Sequence, residues 1–338
     1  MASNGGSPLP WAQPGWRERT GDWIQAETTR LGLRVNGPIE QPHVRPWSTV
    51  LRVPTSSGDL YFKATAPTLA HEPALTQALA RWRPDCMPQV LAVDPARGWM
   101  LMRDGGATLR SLIKVDRDLG HWHRALPLYA GLQIEMADRR DDLLALGALD
   151  RRLAALPAQY DRLLADTPAL RIDRPDGLTS DEVRRLRALA PRYAELCGRL
   201  AAFGLPETLH HDDFHDANIF VRGGRYVFFD WGESGAAHPF FTLLVTLRSV
   251  ANTLGLDAHA REVAQLRDVY LASWTRFGTP GALRAAFDLA QQVGMVARAL
   301  TWHHVVSPLP GPAKQEYAGA VPGWLQEFLT AVETAGIT

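Results

Sequence analysis

Residues 210–218 form a segment rich in ionisable side chains. They read His-His-Asp-Asp-Phe-His-Asp-Ala-Asn, so six of the nine residues are ionisable, and the apolar run Ile219-Phe220-Val221 follows directly. A loop that is merely solvated would carry far fewer such side chains beside a core strand. Carboxylates and imidazoles gathered at one place can move protons or hold a metal ion. This segment is therefore the main candidate for a reactive site.

The glycine pair Gly223-Gly224 predicts a hairpin turn that brings the end of this segment towards Asp230. If the loop comprises residues 223–225, Asn218 lies opposite Asp230. If the loop is the two glycines alone, the register shifts by one and a bulge is needed to bring both side chains to one face. Either way an amide and a carboxylate meet at the hairpin mouth, and such oxygen ligands suit Mg²⁺. Asp213 precedes them on the same loop and could accept a proton from a hydroxyl nucleophile.

Lysine is scarce, since the 36 basic residues include only Lys63, Lys114 and Lys314. Lys63 ends an apolar-rich run, where a buried ammonium is costly without a partner. Glu72 lies on the apolar stripe of the helix that follows, so it faces inward and could be that partner. The alternatives are a Lys63 that extends its ammonium to solvent and a Glu72 that is merely favoured at a helix N-terminus.

The polar segment and the hairpin resemble a known family. HHDDFHDAN followed by VFFDWGE is similar to the catalytic loop and metal-binding aspartate of the aminoglycoside phosphotransferase and choline kinase-like group, small-molecule relatives of protein kinases. The pattern of that family is H-G-D-x-H-x-x-N, followed by I-D-W or a similar triplet. Asp212 stands where the family usually has glycine. The match implies a catalytic base, two metal ligands and two supporting histidines: Asp213, Asn218 and Asp230, and His211 and His215.

The resemblance also implies a nucleotide site in the N-terminal part of the chain. A strand lysine paired with a glutamate of the next helix, here Lys63 and Glu72, is the pair with which kinases hold the α and β phosphates. The stretch that ends at Asp104 is similar to the link between two lobes, so backbone groups near Met102 and Asp104 would bind adenine. No G-x-G-x-x-G lies between the first two strands. We expect Ser48 and backbone amides to cap the phosphates instead.

The hydrophobic periodicity predicts the elements that position these residues. After a helix at 16–33, five short strands and one helix make a small α+β domain: strands near 39–44, 48–54, 60–64, 89–93 and 99–103, and a helix at 70–82. Beyond residue 105 the pattern is mainly helical, with segments at 121–146, 151–165 and 179–203 and about four more after the hairpin. Pro191 should kink or split the third.

The resemblance implies an α+β fold of the bilobal protein kinase-like type. Its small N-terminal lobe would hold the antiparallel sheet and one helix, and its larger lobe would be mainly helical and carry the catalytic hairpin. We expect a flexible tail at 1–14, a nucleotide-binding lobe at 15–104, and a catalytic and acceptor-binding lobe at 105–338.

The composition excludes several classes of protein. The 36 basic residues balance 36 acidic residues, so no positive field favours nucleic acid or anionic lipid. No apolar run reaches the length of a membrane span, and the first residues lack the order of a secretory signal. Cys86 and Cys197 match no metal spacing and indicate free thiols in a reducing compartment. We expect a cytoplasmic protein that binds neither nucleic acid nor membrane; its oligomeric state is left open.

These observations predict an ATP-dependent O-phosphotransferase that uses Mg²⁺ and a small-molecule hydroxyl acceptor. The acceptor could be an aminoglycoside, an amino sugar, a macrolide or a metabolic alcohol. One alternative is a transition-metal hydrolase built on the His and Asp cluster, although neither H-x-H-x-D-H nor H-E-x-x-H is present. Another is a non-catalytic nucleotide-binding protein.

Overall fold

The structure is a computed structural model that describes residues 9–336. The chain forms two compact units. The first comprises the described residues up to Ala107, together with Phe220–Gly232 and Pro308–Gln315. The second comprises Thr108–Ile219, Glu233–Ser307 and the described residues from Glu316 onwards. The part of the predicted tail at residues 1–8 lies outside the described residues, and a short 3₁₀ helix follows at Pro10–Ala12.

The first unit contains a five-stranded antiparallel sheet with the strand order β1-β2-β3-β5-β4. Its elements are α1 (Trp16–Arg30), β1 (Glu40–Val44), β2 (Ser48–Val53), β3 (Leu60–Thr65), α2 (Glu72–Trp82), β4 (Val90–Asp94) and β5 (Trp99–Arg103). The predicted strands and helices all occur, with small differences at their ends. The mixed α+β class is therefore confirmed.

The alternation of side chains along β3 separates the core of this unit from its polar site. Phe62 is fully buried, and its ring contacts Trp16, Trp23 and Trp99 edge-on at centroid distances of 6.4, 5.6 and 5.6 Å. Because successive residues of a strand point to opposite faces, Lys63 points away from this aromatic cluster. The residues that bury the α1 face of the sheet therefore also direct Lys63 to the other face.

The rest of the chain continues from the end of this sheet. In chain order its elements are β6 (Ala107–Thr108), α3 (Leu109–Asp116), α4 (Gly120–Met136), α5 (Arg140–Ala145), β7 (Leu149–Arg151), α6 (Leu156–Ala165), α7 (Thr167–Leu170), α8 (Ser180–Ala188), α9 (Ala190–Ala201), β8 (Thr208–His210), β9 (Ile219–Arg222), β10 (Arg225–Phe228), β11 (Gly235–Ala237), α10 (Thr242–Leu254), α11 (Arg261–Ala272), α12 (Pro280–Val306), α13 (Gly311–Glu316) and α14 (Ala320–Gly336).

The hairpin has the shorter of the two predicted loops. β9 ends at Arg222 and β10 begins at Arg225, so the loop is Gly223-Gly224 alone. Both glycines have positive φ, 58° and 79°, as a two-residue hairpin turn with matching twist requires. β9 also pairs with β6, which gives the strand order β10-β9-β6.

The helical region is more divided than its hydrophobic pattern predicts. The predicted helix at 121–146 is α4 and α5, separated by a 3₁₀ turn at Ala137–Arg139. The predicted helix at 179–203 is split before Pro191, which lies in the first turn of α9, where its missing N–H costs nothing. The four or so helical segments predicted after the hairpin occur as α10, α11, α12 and α14, with the short α13 between the last two.

A small sheet that the periodicity does not reveal leads into the polar segment. β11 lies between β7, to which it is parallel, and β8, to which it is antiparallel. A Cβ atom on Gly235 would lie 2.5 Å from the carbonyl oxygen of Leu149, so only glycine fits there. β8 ends at His210, and its pairing with β11 therefore fixes the start of the polar segment.

Among the described helices, none combines the length and the apolar character that crossing a membrane would need.

His238, which follows β11, makes the second unit sensitive to acid. The residue is fully buried, its Nδ1 accepts a hydrogen bond from the Phe240 backbone N–H, and its Nε2 has no hydrogen-bond partner within the described chain. Burial, followed by the charge of His210, lowers the pKa of His238 from 6.5 to about 3. As the pH falls below 6.5, His238 becomes protonated in the unfolded chain but stays neutral in the folded protein. Unfolding should therefore become easier by about 2 kcal/mol at pH 5.

The variant His238→Asn tests this prediction, because asparagine can still accept the Phe240 hydrogen bond but does not titrate. We expect the free energy of unfolding by urea to fall less between pH 7 and pH 5 in the variant than in the wild type. The same loss of stability in both proteins would contradict the prediction.

Candidate active site

In the first unit a buried ammonium lies between two carboxylates. Lys63 is 9% exposed, and its Nζ donates hydrogen bonds to Glu72 Oε1 at 2.7 Å and to Asp230 Oδ1 at 2.5 Å. Burial alone would lower the pKa of Lys63, but the charges of Asp230 and Glu72 outweigh it and raise the pKa. Burial raises the pKa of Glu72, and the ammonium of Lys63 opposes that rise. The structure thus brings together three of the predicted site residues.

The turn after β10 holds Asp230 in an unusual backbone conformation. Asp230 has φ of 67°, in the left-handed region that non-glycine residues seldom adopt. Trp231 anchors the turn, because its indole is fully buried, its Nε1 donates to the Phe228 carbonyl at 3.0 Å and its backbone N–H donates to Glu72 Oε1 at 3.1 Å. The Asp230 side chain is 45% exposed, so a cation can reach it.

Three further residues predicted to contact the nucleotide also lie in this unit. Ser48 is the buried first residue of β2, opposite Thr65. Met102 is buried in β5, where it pairs with Tyr61. Asp104 follows β5, and its carbonyl oxygen accepts a hydrogen bond from Arg222 at 2.5 Å. Their contacts with a nucleotide stay predictions.

In the second unit the polar segment folds around Asp213. His215 Nε2 lies 3.2 Å from Asp213 Oδ2. The backbone N–H of Asp213 donates to His211 Nδ1 at 3.3 Å, and Asn218 Nδ2 donates to the Asp213 carbonyl at 3.0 Å. The Asp213 side chain is 27% exposed, so a substrate can approach it. The loop therefore brings His211, Asp213, His215 and Asn218 together.

The orientation of the Asn218 amide suits a metal ligand. Because its nitrogen donates to the Asp213 carbonyl, its oxygen is the atom that points elsewhere. An amide oxygen and a carboxylate are hard donors of the kind that Mg²⁺ prefers, and Mg²⁺ usually takes only one or two protein groups. Asn218 and Asp230 thus have the right chemistry for this ion.

Helix α4 packs against the polar segment and fixes its position. Tyr129 is fully buried, and its hydroxyl accepts a hydrogen bond from the His211 backbone N–H at 2.9 Å. Its ring stacks on Phe214 with centroids 4.0 Å apart. Gln133, one turn further along, donates to the Leu209 carbonyl at 2.9 Å. The loop therefore rests on a rigid helix, as a preorganised site requires.

Sequence reasoning missed a central member of the site, Arg298 of α12. Its side chain is 6% exposed; Nη2 donates to Asp213 Oδ1 at 2.8 Å, and Nη1 donates to Asp212 Oδ2 at 3.0 Å and Glu233 Oε2 at 2.7 Å. Burial acts to raise the pKa values of Asp212 and Asp213, but the charge of Arg298 outweighs it and lowers both. The available signal was an arginine between Ala297 and Ala299, in an otherwise apolar stretch of α12.

Asp212, which replaces the usual glycine, has a defined role in this network. It is buried, and its Oδ1 lies 2.8 Å from His210 Nε2 while its Oδ2 accepts from Arg298. His210 Nδ1 lies 2.8 Å from the Thr242 hydroxyl. Asp212 thus links the loop to α12 through Arg298 and to α10 through His210.

Comparison with known proteins identifies the family of the chain. The model of the phosphotransferase enzyme family matches residues 48–286, most of the chain. The chain therefore belongs to the phosphotransferase enzyme family, and the prediction of a small-molecule kinase is confirmed. A search of curated protein sequences finds no match.

Solved structures share the fold at low sequence identity. The ethanolamine kinase of Plasmodium vivax is 13% identical, with a TM-score of 0.60, 95% of this chain covered and 89% of that one. The choline kinase of Cryptosporidium parvum is 11% identical, with a TM-score of 0.60 and coverage of 96% and 94%. A macrolide 2'-phosphotransferase type I is 13% identical, with a TM-score of 0.53 and coverage of 91% and 97%. The predicted protein kinase-like fold is thereby confirmed.

Proposed function

We propose that the protein transfers the γ-phosphoryl group of ATP to a hydroxyl group of an aminoglycoside, an amino sugar or a similar small acceptor, with Mg²⁺ as cofactor. The observation that supports this most strongly is the buried Lys63, held 2.7 Å from Glu72 and 2.5 Å from Asp230. A fixed ammonium beside an accessible carboxylate is the arrangement that a triphosphate and its cation require.

On the nucleotide side, Lys63 would bind the α and β phosphates, and Glu72 would fix the position of its ammonium. Asn218 and Asp230 would hold Mg²⁺, which when bound neutralises charge that develops on the phosphate oxygens. Ser48 would cap the phosphates. Backbone groups near Met102 and Asp104 would bind the adenine edge.

On the acceptor side, Asp213 would take the proton of the acceptor hydroxyl. The acceptor oxygen then forms a bond to the γ-phosphorus while the bond from that phosphorus to the bridging oxygen breaks, which releases ADP. His211 and His215 would position Asp213 rather than react, because both contact it directly.

The two alternatives find less support. Both ring nitrogens of His210 already lie within hydrogen-bonding distance of Thr242 and Asp212. The described residues contain no group of three or more His, Cys, Asp and Glu side chains that could hold a metal ion, which disfavours a transition-metal hydrolase. Family membership disfavours a non-catalytic nucleotide-binding protein.

We also propose a cytoplasmic location, because a reducing compartment would keep the thiols of Cys86 and Cys197 reduced. Both cysteines are buried, and neither forms a disulfide within the described chain. A small-molecule acceptor remains the expected partner.

A panel of hydroxyl compounds, incubated with ATP and Mg²⁺, tests the proposed function. We expect ADP release that depends on one class of acceptor, together with a phosphorylated product seen by mass spectrometry. Binding of ATP with Mg²⁺ without turnover on any member of a broad panel would favour the non-catalytic alternative. Tightly bound zinc in the purified protein, without nucleotide binding, would favour the hydrolase.

A further inference from the structure

Arg298 contacts the proposed base, Asp213, and two neighbouring carboxylates. Its two terminal nitrogens contact Asp212, Asp213 and Glu233 at 2.7–3.0 Å. A guanidinium offers five donors in a rigid plane and stays charged in proteins. One buried side chain of the protein thus binds all three acids.

The guanidinium is also held from a further direction. Its central carbon lies 5.3 Å from the ring centroid of Trp302, a cation–π contact. The Trp302 ring in turn stacks on Tyr317, with centroids 6.1 Å apart and planes 16° from parallel. Moving Arg298 away would break these contacts and remove the positive charge that three largely buried carboxylates share, which is strongly unfavourable.

The charges of this cluster nearly cancel. Asp212, Asp213 and Glu233 contribute three negative charges, and Arg298 contributes one positive charge. Arg151 is also buried, and it lies close enough to Asp212 for that carboxylate to affect its pKa. Arg298, in direct contact, and the more distant Arg151 together offset two of the three negative charges, so little negative charge is left to attract a cation.

A positively charged acceptor would need the same carboxylates. An ammonium group near the reacting hydroxyl would gain by contacting Asp213 or Glu233, but the nitrogens of Arg298 already lie there. Placed beside a fixed guanidinium, the ammonium would meet a like charge with little water to screen it. A neutral hydroxyl compound meets no such repulsion.

We propose that Arg298 determines the charge of the acceptor: it takes the place of a cationic substrate group, so that the enzyme phosphorylates a hydroxyl compound with no positive charge near the reacting hydroxyl. This inference rests on the proposed phosphoryl transfer to a hydroxyl. Within that function it disfavours aminoglycosides and amino sugars, which carry ammonium groups, and favours small neutral hydroxyl compounds. Arg298 acts through Asp213 and Glu233, and is therefore a specificity-determining residue rather than a catalytic one.

Pairs of acceptors that differ by one charged group test this proposal. Glucose with glucosamine and ethylene glycol with ethanolamine are suitable probes, and the measured quantity is the ratio of kcat/KM for the neutral and the cationic member. We expect the wild type to favour the neutral member. Arg298→Gln should shift the ratio towards the cationic member by roughly tenfold or more, because three carboxylates lose their shared counter-charge.

Two further variants keep the test decisive if Arg298→Gln folds poorly. Arg298→Lys keeps the charge and should retain the neutral preference. Glu233→Gln removes a negative charge and should move the ratio in the opposite direction, towards the neutral member. Because each ratio compares two acceptors on the same enzyme, a general loss of activity leaves it unchanged.

Each outcome has a distinct meaning. A wild-type preference for cationic acceptors, or an unchanged ratio in both Arg298→Gln and Glu233→Gln, would overturn the role of Arg298 and leave the proposed function intact. No phosphorylated product from any pair, in a protein that binds ATP with Mg²⁺, would overturn the proposed function for these acceptors and the role of Arg298 with it. A kcat/KM ratio that shifts in opposite directions in Arg298→Gln and Glu233→Gln supports both the proposed function and the role of Arg298.

Discussion

Replacing Asp213 with asparagine should lower the rate of phosphoryl transfer by about 10²-fold or more. The amide has nearly the same size as the carboxylate, but it cannot accept the proton of the acceptor hydroxyl. Binding of ATP with Mg²⁺ should persist, because the variant keeps both Lys63 and Asp230. Steady-state turnover and nucleotide titration, measured on the same preparation, check the two halves of this prediction.

Asp288→Asn is a matched control, since Asp288 is an exposed residue of α12 and loses the same charge. We expect its turnover to equal that of the wild type. If Asp213→Asn also turned over at the wild-type rate, Asp213 would not be the base.

Replacing Lys63 with methionine should reduce turnover with ATP by roughly 10²-fold, the usual effect of removing one fixed donor to a developing charge. Methionine retains most of the side-chain length but leaves Glu72 buried without its cationic partner. The variant should therefore also lose about 3 kcal/mol of folding stability. Turnover at saturating acceptor and urea unfolding measure the two effects.

A double variant separates the two effects. In Lys63→Met combined with Glu72→Gln, the buried charge is gone from both positions, so part of the stability should return while turnover stays low. Lys114→Met, at an exposed lysine of α3, is the matched control and should change neither quantity. Wild-type ATP kinetics in Lys63→Met would remove Lys63 from the site.

The parts of the site that lie close together along the chain could be predicted from the sequence. His211, Asp213, His215 and Asn218 fall within eight residues, so one short pattern contains them all. The pairing of Lys63 with Glu72 could be predicted because an ammonium at the end of an apolar strand needs a partner, and the next helix offers one on its inward face. The roles of these residues in catalysis stay predictions.

Arg298 could not be predicted, for a physical reason. It is separated from Asp213 by 85 residues, and only the packing of α12 brings the two together. No pattern in the sequence relates an arginine on an apolar helix to a distant loop. The carboxylate of Asp212, noted only as a departure from the family pattern, gains its meaning from this contact.

The strands likewise divide into those that the sequence predicts and those that it does not. β2, β3 and β5 have five or six residues each, enough for their alternation or apolar run to be visible. β7, β8 and β11 have three residues each, too few to show a period. The break after α4 was also missed: residues 138–142 are all charged, and the predicted helix continued through them to the apolar Leu143.

Mass spectrometry with ATP labelled with ¹⁸O in its γ-phosphoryl group tests the central claim most directly. The proposed function predicts that, with Mg²⁺ present, the labelled group appears as a phosphate ester on the hydroxyl acceptor, and that Asp213→Asn nearly abolishes this product. Label that appeared only in free phosphate, or that remained in ATP with every acceptor, would contradict it.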